Sequence, residues 1–107
     1  MARVSSAADV FRAVADAHRR ALLDAMSPGE AAVGDLARAA GLSYSAVSQH
    51  LAILLEAGLV ERRKAGRHQF YRLDPARLRE IHAWTSHYER FWRHRLGQLK
   101  RVLGPTR

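Results

Sequence analysis

The sequence predicts a mainly α-helical domain with one small β-hairpin, and three features of its 107 residues carry that expectation. Apolar residues recur at helical spacing through most of the chain. Between residues 59 and 73 the period falls to two, as in paired strands. Cysteine is absent, so neither disulfides nor thiolate metal sites shape the fold. The length suits a single domain over residues 1–107, with one modest core.

The elements follow in order. Residues 7–16, AADVFRAVAD, place Phe11, Val14 and Ala15 on one stripe after a Ser5–Ser6 pair suited to N-capping, giving a first helix. HRRALLDAM, begun by His18, supplies Leu22, Leu23 and Met26 to a second, which SPGE at 27–30 ends. VGDLARAAG is a short third helix with Leu36, Ala37 and Ala40, stopped by Gly41. After Leu42 and Ser43 comes YSAVSQHLAILLEAG, in which Val47, Leu51 and Leu54 recur at i, i+4 and i+7. Two short helices joined through a glycine turn make a helix-turn-helix over about 33–57.

LVERRKAGRHQFYRL, residues 59–73, then reads as strands at 60–64 and 68–73 around Ala65-Gly66-Arg67. Gly66 permits the tight turn. A basic hairpin after a helix-turn-helix is the wing of a winged helix. Asp74-Pro75 opens a long final helix over 75–103, stopped by Gly104-Pro105. Its stripe of Leu78, Ile81, Trp84, Tyr88, Phe91, Trp92, Leu96, Leu99 and Leu103 runs through about seven turns. A small domain cannot cover all of that. The first part belongs to the core, and the rest is expected to pack on the first helix and a second subunit. The expected dimerisation residues are Phe11, Val14, Tyr88, Trp92, Leu96 and Leu99.

Charge narrows the function. Eighteen Lys and Arg against ten Asp and Glu give a net +8. The excess is uneven: residues 59–74 carry five basic groups against two acidic, and 75–107 eight against two. Such concentration fits a polyanionic partner, most often nucleic acid, or a solvated basic face. Catalysis is excluded by the lack of cysteine, of a glycine-rich phosphate loop, of suitably spaced paired carboxylates and of a nucleophile elbow. No signal-type apolar run opens the chain and no stretch of about 18 apolar residues occurs, so a cytoplasmic protein without membrane contact is expected.

The fourth helix has a second face that needs a purpose. Ser45, Ser48 and Gln49 oppose the apolar stripe, where a merely solvated helix would more usually hold Lys and Glu. Hydroxyls and amides both donate and accept, which is what reading base edges in the major groove of double-stranded DNA requires. Tyr44 reaches a phosphate or a thymine methyl, or else is a half-buried ring beside the turn. The hairpin offers Arg62, Arg63, Lys64 and Arg67 to phosphates or a narrow minor groove. Strand arginines also serve simply as solvated edge residues. Arg62 and Arg63 alternate faces, so only one of them is expected to point at DNA.

VFRAVADAHRRALLDAM together with VGDLARAAGLSYSAVSQHLAILLEAGLVERRKAGRHQFYRLDP, most of residues 10–75, resembles the ArsR/SmtB group of dimeric bacterial winged-helix repressors. The pattern VSQHL, AGLV, GR and YRL is the specific part. The resemblance implies a homodimer joined through first and last helices, a recognition helix bearing Ser45, Ser48 and Gln49, and a wing bearing Arg67. It implies a repressor on a palindromic operator.

Many members of that group sense metals, and this chain departs there. AAVGDL stands where metal-sensing relatives carry a Cys-x-Cys motif at the start of the third helix. Glu80-x-His82 resembles half of a last-helix site, but His94 is one position out of register and Gly97 stands where another ligand would be. No metal and no cofactor is therefore expected, which leaves either a constitutive repressor controlled by its own abundance or one that answers to an organic or protein effector. His50, on the apolar side of its helix, is expected to be packed or hydrogen-bonded; His87 and His94 share a face without making a site. Two rival functions stay open. One is a winged helix that binds protein, suggested by Ala52, Ile53 and Leu55 where relatives often carry Lys or Arg. The other is a metal-responsive repressor using last-helix ligands.

Overall fold

The computed structural model describes residues 7–104. The elements are α1 (Ala7–Val14), α2 (Ala17–Ala25), β1 (Ala31–Ala32), α3 (Val33–Ala40), α4 (Tyr44–Glu56), β2 (Val60–Ala65), β3 (His68–Leu73), α5 (Leu78–Ser86) and α6 (Glu89–Leu103). A 3-10 turn, Pro75–Arg77, leads into α5. The expected Ser5–Ser6 cap and the Pro105 stop lie outside the described residues.

The helix starts are set by side chains. Asp16 caps α2 by accepting from the backbone N–H groups of His18 at 2.8 Å and Arg19 at 3.2 Å. Asp16 therefore opens the second helix two residues before His18. Ser43 caps α4 by accepting from Ala46 N at 3.1 Å. Gly41, at φ 67°, ends α3 in the left-handed region and makes the helix-turn-helix corner.

Leu22, Leu23, Met26, Leu36, Ala37, Val47, Leu51 and Leu54 form the expected core, joined by Val33, Ala57, Leu59, Val60 and Tyr71. The α1 stripe differs from expectation. Val10 and Ala13 are fully buried, Phe11 and Val14 are half-buried, and Ala15 is exposed beyond the end of the helix. Phe11 instead meets Trp84 edge-on, with ring centroids 5.6 Å apart.

The hairpin forms as predicted, with Ala65 paired to His68 across Gly66-Arg67, and Gly66 takes φ 61°. A third strand was not foreseen. Ala31 and Ala32 add antiparallel to Tyr71 and Phe70, giving sheet order β1-β3-β2. Register sorts the wing's side chains. Val60, Arg62 and Lys64 share the face of Leu73, Tyr71 and Gln69, which is turned to the helices; Glu61 and Arg63 share the face of Arg72 and Phe70.

The last helix is not continuous. Thr85 Oγ1 and Ser86 Oγ both donate to His82 O, at 3.1 and 2.6 Å, and the chain turns at His87-Tyr88 before α6 begins. Hydroxyls that bond back to a carbonyl three or four residues earlier bend helices, and two in succession account for the break. Leu78 and Ile81 pack on the core, as expected of the stripe's first part. Beyond them Trp84 touches Phe11, and from Tyr88 onward the stripe is exposed. The radius of gyration is 17.8 Å, against about 13 Å for a compact chain of this length, because α6 projects from the body.

Candidate nucleic-acid interface

At 100° per residue, Tyr44, Ser48, Ala52, Ser45 and Gln49 fall within an arc of about 140° on α4. All five are exposed, whereas Val47, Leu51 and Leu54 on the opposite side are at 0%. The fold thus presents the two serines and the glutamine together, fixed by a packed core behind them. Tyr44 is 61% exposed. His50 lies on the apolar side of α4, half-buried, with its Nδ1 3.3 Å from Arg19 Nη1.

The wing divides its cations. Arg63 donates to Glu30 from Nε at 3.0 Å and from Nη2 at 2.7 Å, and its guanidinium lies 4.9 Å from the Phe70 ring centroid. The Arg63 hydrogen bond holds the Glu30 carboxyl below its ordinary range despite partial desolvation, and Glu30 in turn raises Arg63. Arg72 pairs with Glu61 on the same face, which raises Arg72. Arg62, Lys64 and Arg67 are exposed and make no ion pair among the described residues. Arg63 is thus paired with Glu30 on the face of Phe70 and Arg72, whereas Arg62, Lys64 and Arg67 stand outside such pairs. Sequence reasoning gave Arg63 no partner, since Glu30 is remote in the chain.

Near α2, desolvation pushes the Asp16 carboxyl up, but the backbone N–H groups of Arg19 and His18 and the charge of Arg19 outweigh it and hold it low. Arg20 Nη1 donates to Val14 O at 2.8 Å, tying α2 to the end of α1. The last-helix residues weighed as ligands are dispersed: Glu80 is held by Arg77 at 2.9 and 3.3 Å, and His82 and His94 are exposed. Among the described residues no three of His, Cys, Asp and Glu gather as a metal site. None of their helices is long and apolar enough to cross a membrane.

A helix-turn-helix presenting a polar, exposed second helix beside a basic hairpin defines a winged helix-turn-helix transcriptional regulator, a DNA-binding and non-enzymatic class. Residues 16–62 match the model of the bacterial regulatory proteins of the arsR family. The chain is 43% identical over 82 residues to the HTH-type transcriptional regulator Rv2034 of Mycobacterium tuberculosis, covering 77% of this chain and 74% of that protein. It is 30% identical to the transcriptional repressor SdpR of Bacillus subtilis, covering 75% of this chain and 89% of that one. The solution structure of the homodimeric winged helix-turn-helix DNA-binding domain of Mb0332 from Mycobacterium bovis superposes with a TM-score of 0.63 at 35% identity, over 77% of this chain and 79% of that one. The chain belongs to the arsR family of bacterial regulatory proteins.

Proposed function

We propose that this protein is a cytoplasmic homodimeric repressor that reads a palindromic operator with one α4 in each of two successive major grooves. Ser45, Ser48 and Gln49 address base edges, and Tyr44 addresses a phosphate or a thymine methyl at the helix start. Arg62, Lys64 and Arg67 follow phosphates from the wing. Residues 33–57 are then the reading unit, 59–73 the wing, and 75–103 the dimerisation segment. One observation carries the reading: α4 buries Val47, Leu51 and Leu54 completely on one side and presents Ser45, Ser48 and Gln49 together on its exposed side.

Dimerisation rests on the bare stripe. Trp84, Tyr88, Phe91, Trp92, Leu96, Leu99, Val102 and Leu103 are between 46% and 82% exposed, far more than a monomer's surface tolerates in one band. Phe11 and Val14 extend that band onto α1.

A second reading has an observation of its own. Ala52 and the 40% exposed Ile53 leave α4 without a cation, as a protein-binding winged helix would have it. Electrophoretic shift of a random duplex at two salt concentrations separates the readings. Retardation that weakens steeply with salt supports DNA binding. No retardation at the lower salt concentration supports the protein module.

A further inference from the structure

Two arginines tie α4 to the elements that carry the bare apolar faces. Arg77, in the 3-10 turn before α5, donates from Nη1 to the carbonyl of Ala57, the residue capping the end of α4, at 3.0 Å. Its Nε and Nη2 are held by Glu80. Its stem is seated on Gly58, where an added Cβ would lie 3.1 Å from Arg77 Cδ and the backbone takes φ 79°. Arg19 makes the second tie. It donates from Nε to Ala13 O at 2.7 Å and from Nη2 to Arg12 O at 3.1 Å, carbonyls at the end of α1, while Nη1 meets His50 Nδ1 on α4. A guanidinium has no acceptor, so His50 Nδ1 receives that hydrogen bond.

An arginine is suited to this use. Its five donors sit in a rigid fork, so one side chain joins three points without freedom between them. Most surface ion pairs are worth little, but the Arg77 side chain is only 24% exposed and one of its bonds goes to a helix-end carbonyl that has no partner within the helix.

We infer that Arg19 and Arg77 are positioning residues: they set the pose of α4 against α1 and α5, and so fix the spacing and tilt of the paired recognition helices without touching DNA. The inference rests on the proposed reading of DNA by α4. Hydrogen bonds to base edges work only between about 2.7 and 3.2 Å. Half-sites lie about 34–36 Å apart. A helix free to pivot at either tie would therefore grip phosphates as before while losing its register with the bases.

The test uses the full chain and a duplex selected by it from a random pool. Arg77→Met keeps the stem over Gly58 and removes every donor; His50→Leu cuts the Arg19 tie to α4 and leaves the α1 carbonyls capped. The readout is the ratio of affinity for the selected duplex to that for a random duplex, in which any common loss of folded dimer cancels. Each variant is expected to lose about tenfold in that ratio, the scale of one charge-assisted hydrogen bond. Each should also discriminate less against a duplex whose half-site spacing is changed by one base pair. Arg77→Lys, which keeps a donor for Ala57 O, should recover part of the loss. An unchanged ratio and spacing preference in folded, dimeric Arg77→Met and His50→Leu overturns the inference. Should Arg77→Met not fold, His50→Leu decides alone, and an unchanged ratio overturns it. Gln49→Ala, run alongside, separates the two levels: if its ratio is unchanged, the reading of α4 itself has failed.

Discussion

Arg63 and Glu30 stand 33 residues apart in sequence and meet at two points, 3.0 and 2.7 Å, joining β2 to the segment that leads into β1. The pair lies beside Phe70, whose ring faces the guanidinium, so the base of the wing is held on one side by charge and on the other by Tyr71 in the core.

That pair makes an acid-dependent prediction. The Glu30 carboxyl is held below its ordinary value of 4.5 first by the Arg63 hydrogen bond. A depressed folded value means that the contribution is whole above the ordinary value and is lost as pH falls through the folded one. The thermal midpoint of Glu30→Gln should accordingly fall less than that of the parent between about pH 5 and pH 3. Circular dichroism melts across that range check it; parallel curves would show the pair to be stabilising nothing.

The two faces of α4 were legible in the sequence because Val47, Leu51 and Leu54 keep one helical period, and the same period left Ser45, Ser48 and Gln49 outside. The wing was legible because alternation and Gly66 coincide. What escaped was either non-local or too short. Two alanines carry no strand signal, and β1 exists only because β3 offers an edge. The Arg63–Glu30 pair depends on that same pairing. The break before α6 had a signal in adjacent Thr85 and Ser86, but a continuous apolar stripe outweighed it. The cap at Asp16 was readable too, from an aspartate just ahead of the helix. On α1 a single helical period allowed either Val10 with Ala13 or Phe11 with Val14 as the inward pair, and only the packed neighbours decide between them.

The bare stripe predicts the outcome of replacing Trp92 and Leu96 together by Asp. These side chains are 63% and 58% exposed in the single chain, so the fold of one subunit has little stake in them. In a dimer the two charges would be buried without partners, at several kcal/mol. Light scattering should find folded monomers where the parent gives dimers, with an unaltered far-ultraviolet spectrum. A dimer that survives the double change would move the interface elsewhere.

Reading and gripping should separate on mutation. Gln49→Ala removes a base contact and should cost about 1 to 3 kcal/mol on the operator with little change on random DNA. Arg67→Ala, at the wing tip, should weaken both and lower the salt slope by about one. Titrations of both duplexes at several salt concentrations give the comparison. Equal losses for Gln49→Ala on the two duplexes would reassign it to the phosphate backbone.

The position of Glu80 bears on metal response. Its carboxylate is taken by Arg77, the residue that also holds Ala57 O, so recruiting it as a ligand would mean dismantling that tie. Stoichiometric zinc should therefore leave operator affinity unchanged, whereas an allosteric metal couples by about 1 to 3 kcal/mol. The measurement is affinity with chelator against affinity with zinc, at one ionic strength so that counterion release is not mistaken for coupling. A difference of about tenfold, abolished by His82→Ala and by His94→Ala, would establish those histidines as ligands in the assembled protein. It would also turn the Arg77–Glu80 pair into the point where metal and recognition helix compete, because a carboxylate drawn to zinc leaves Arg77 held by Ala57 O alone.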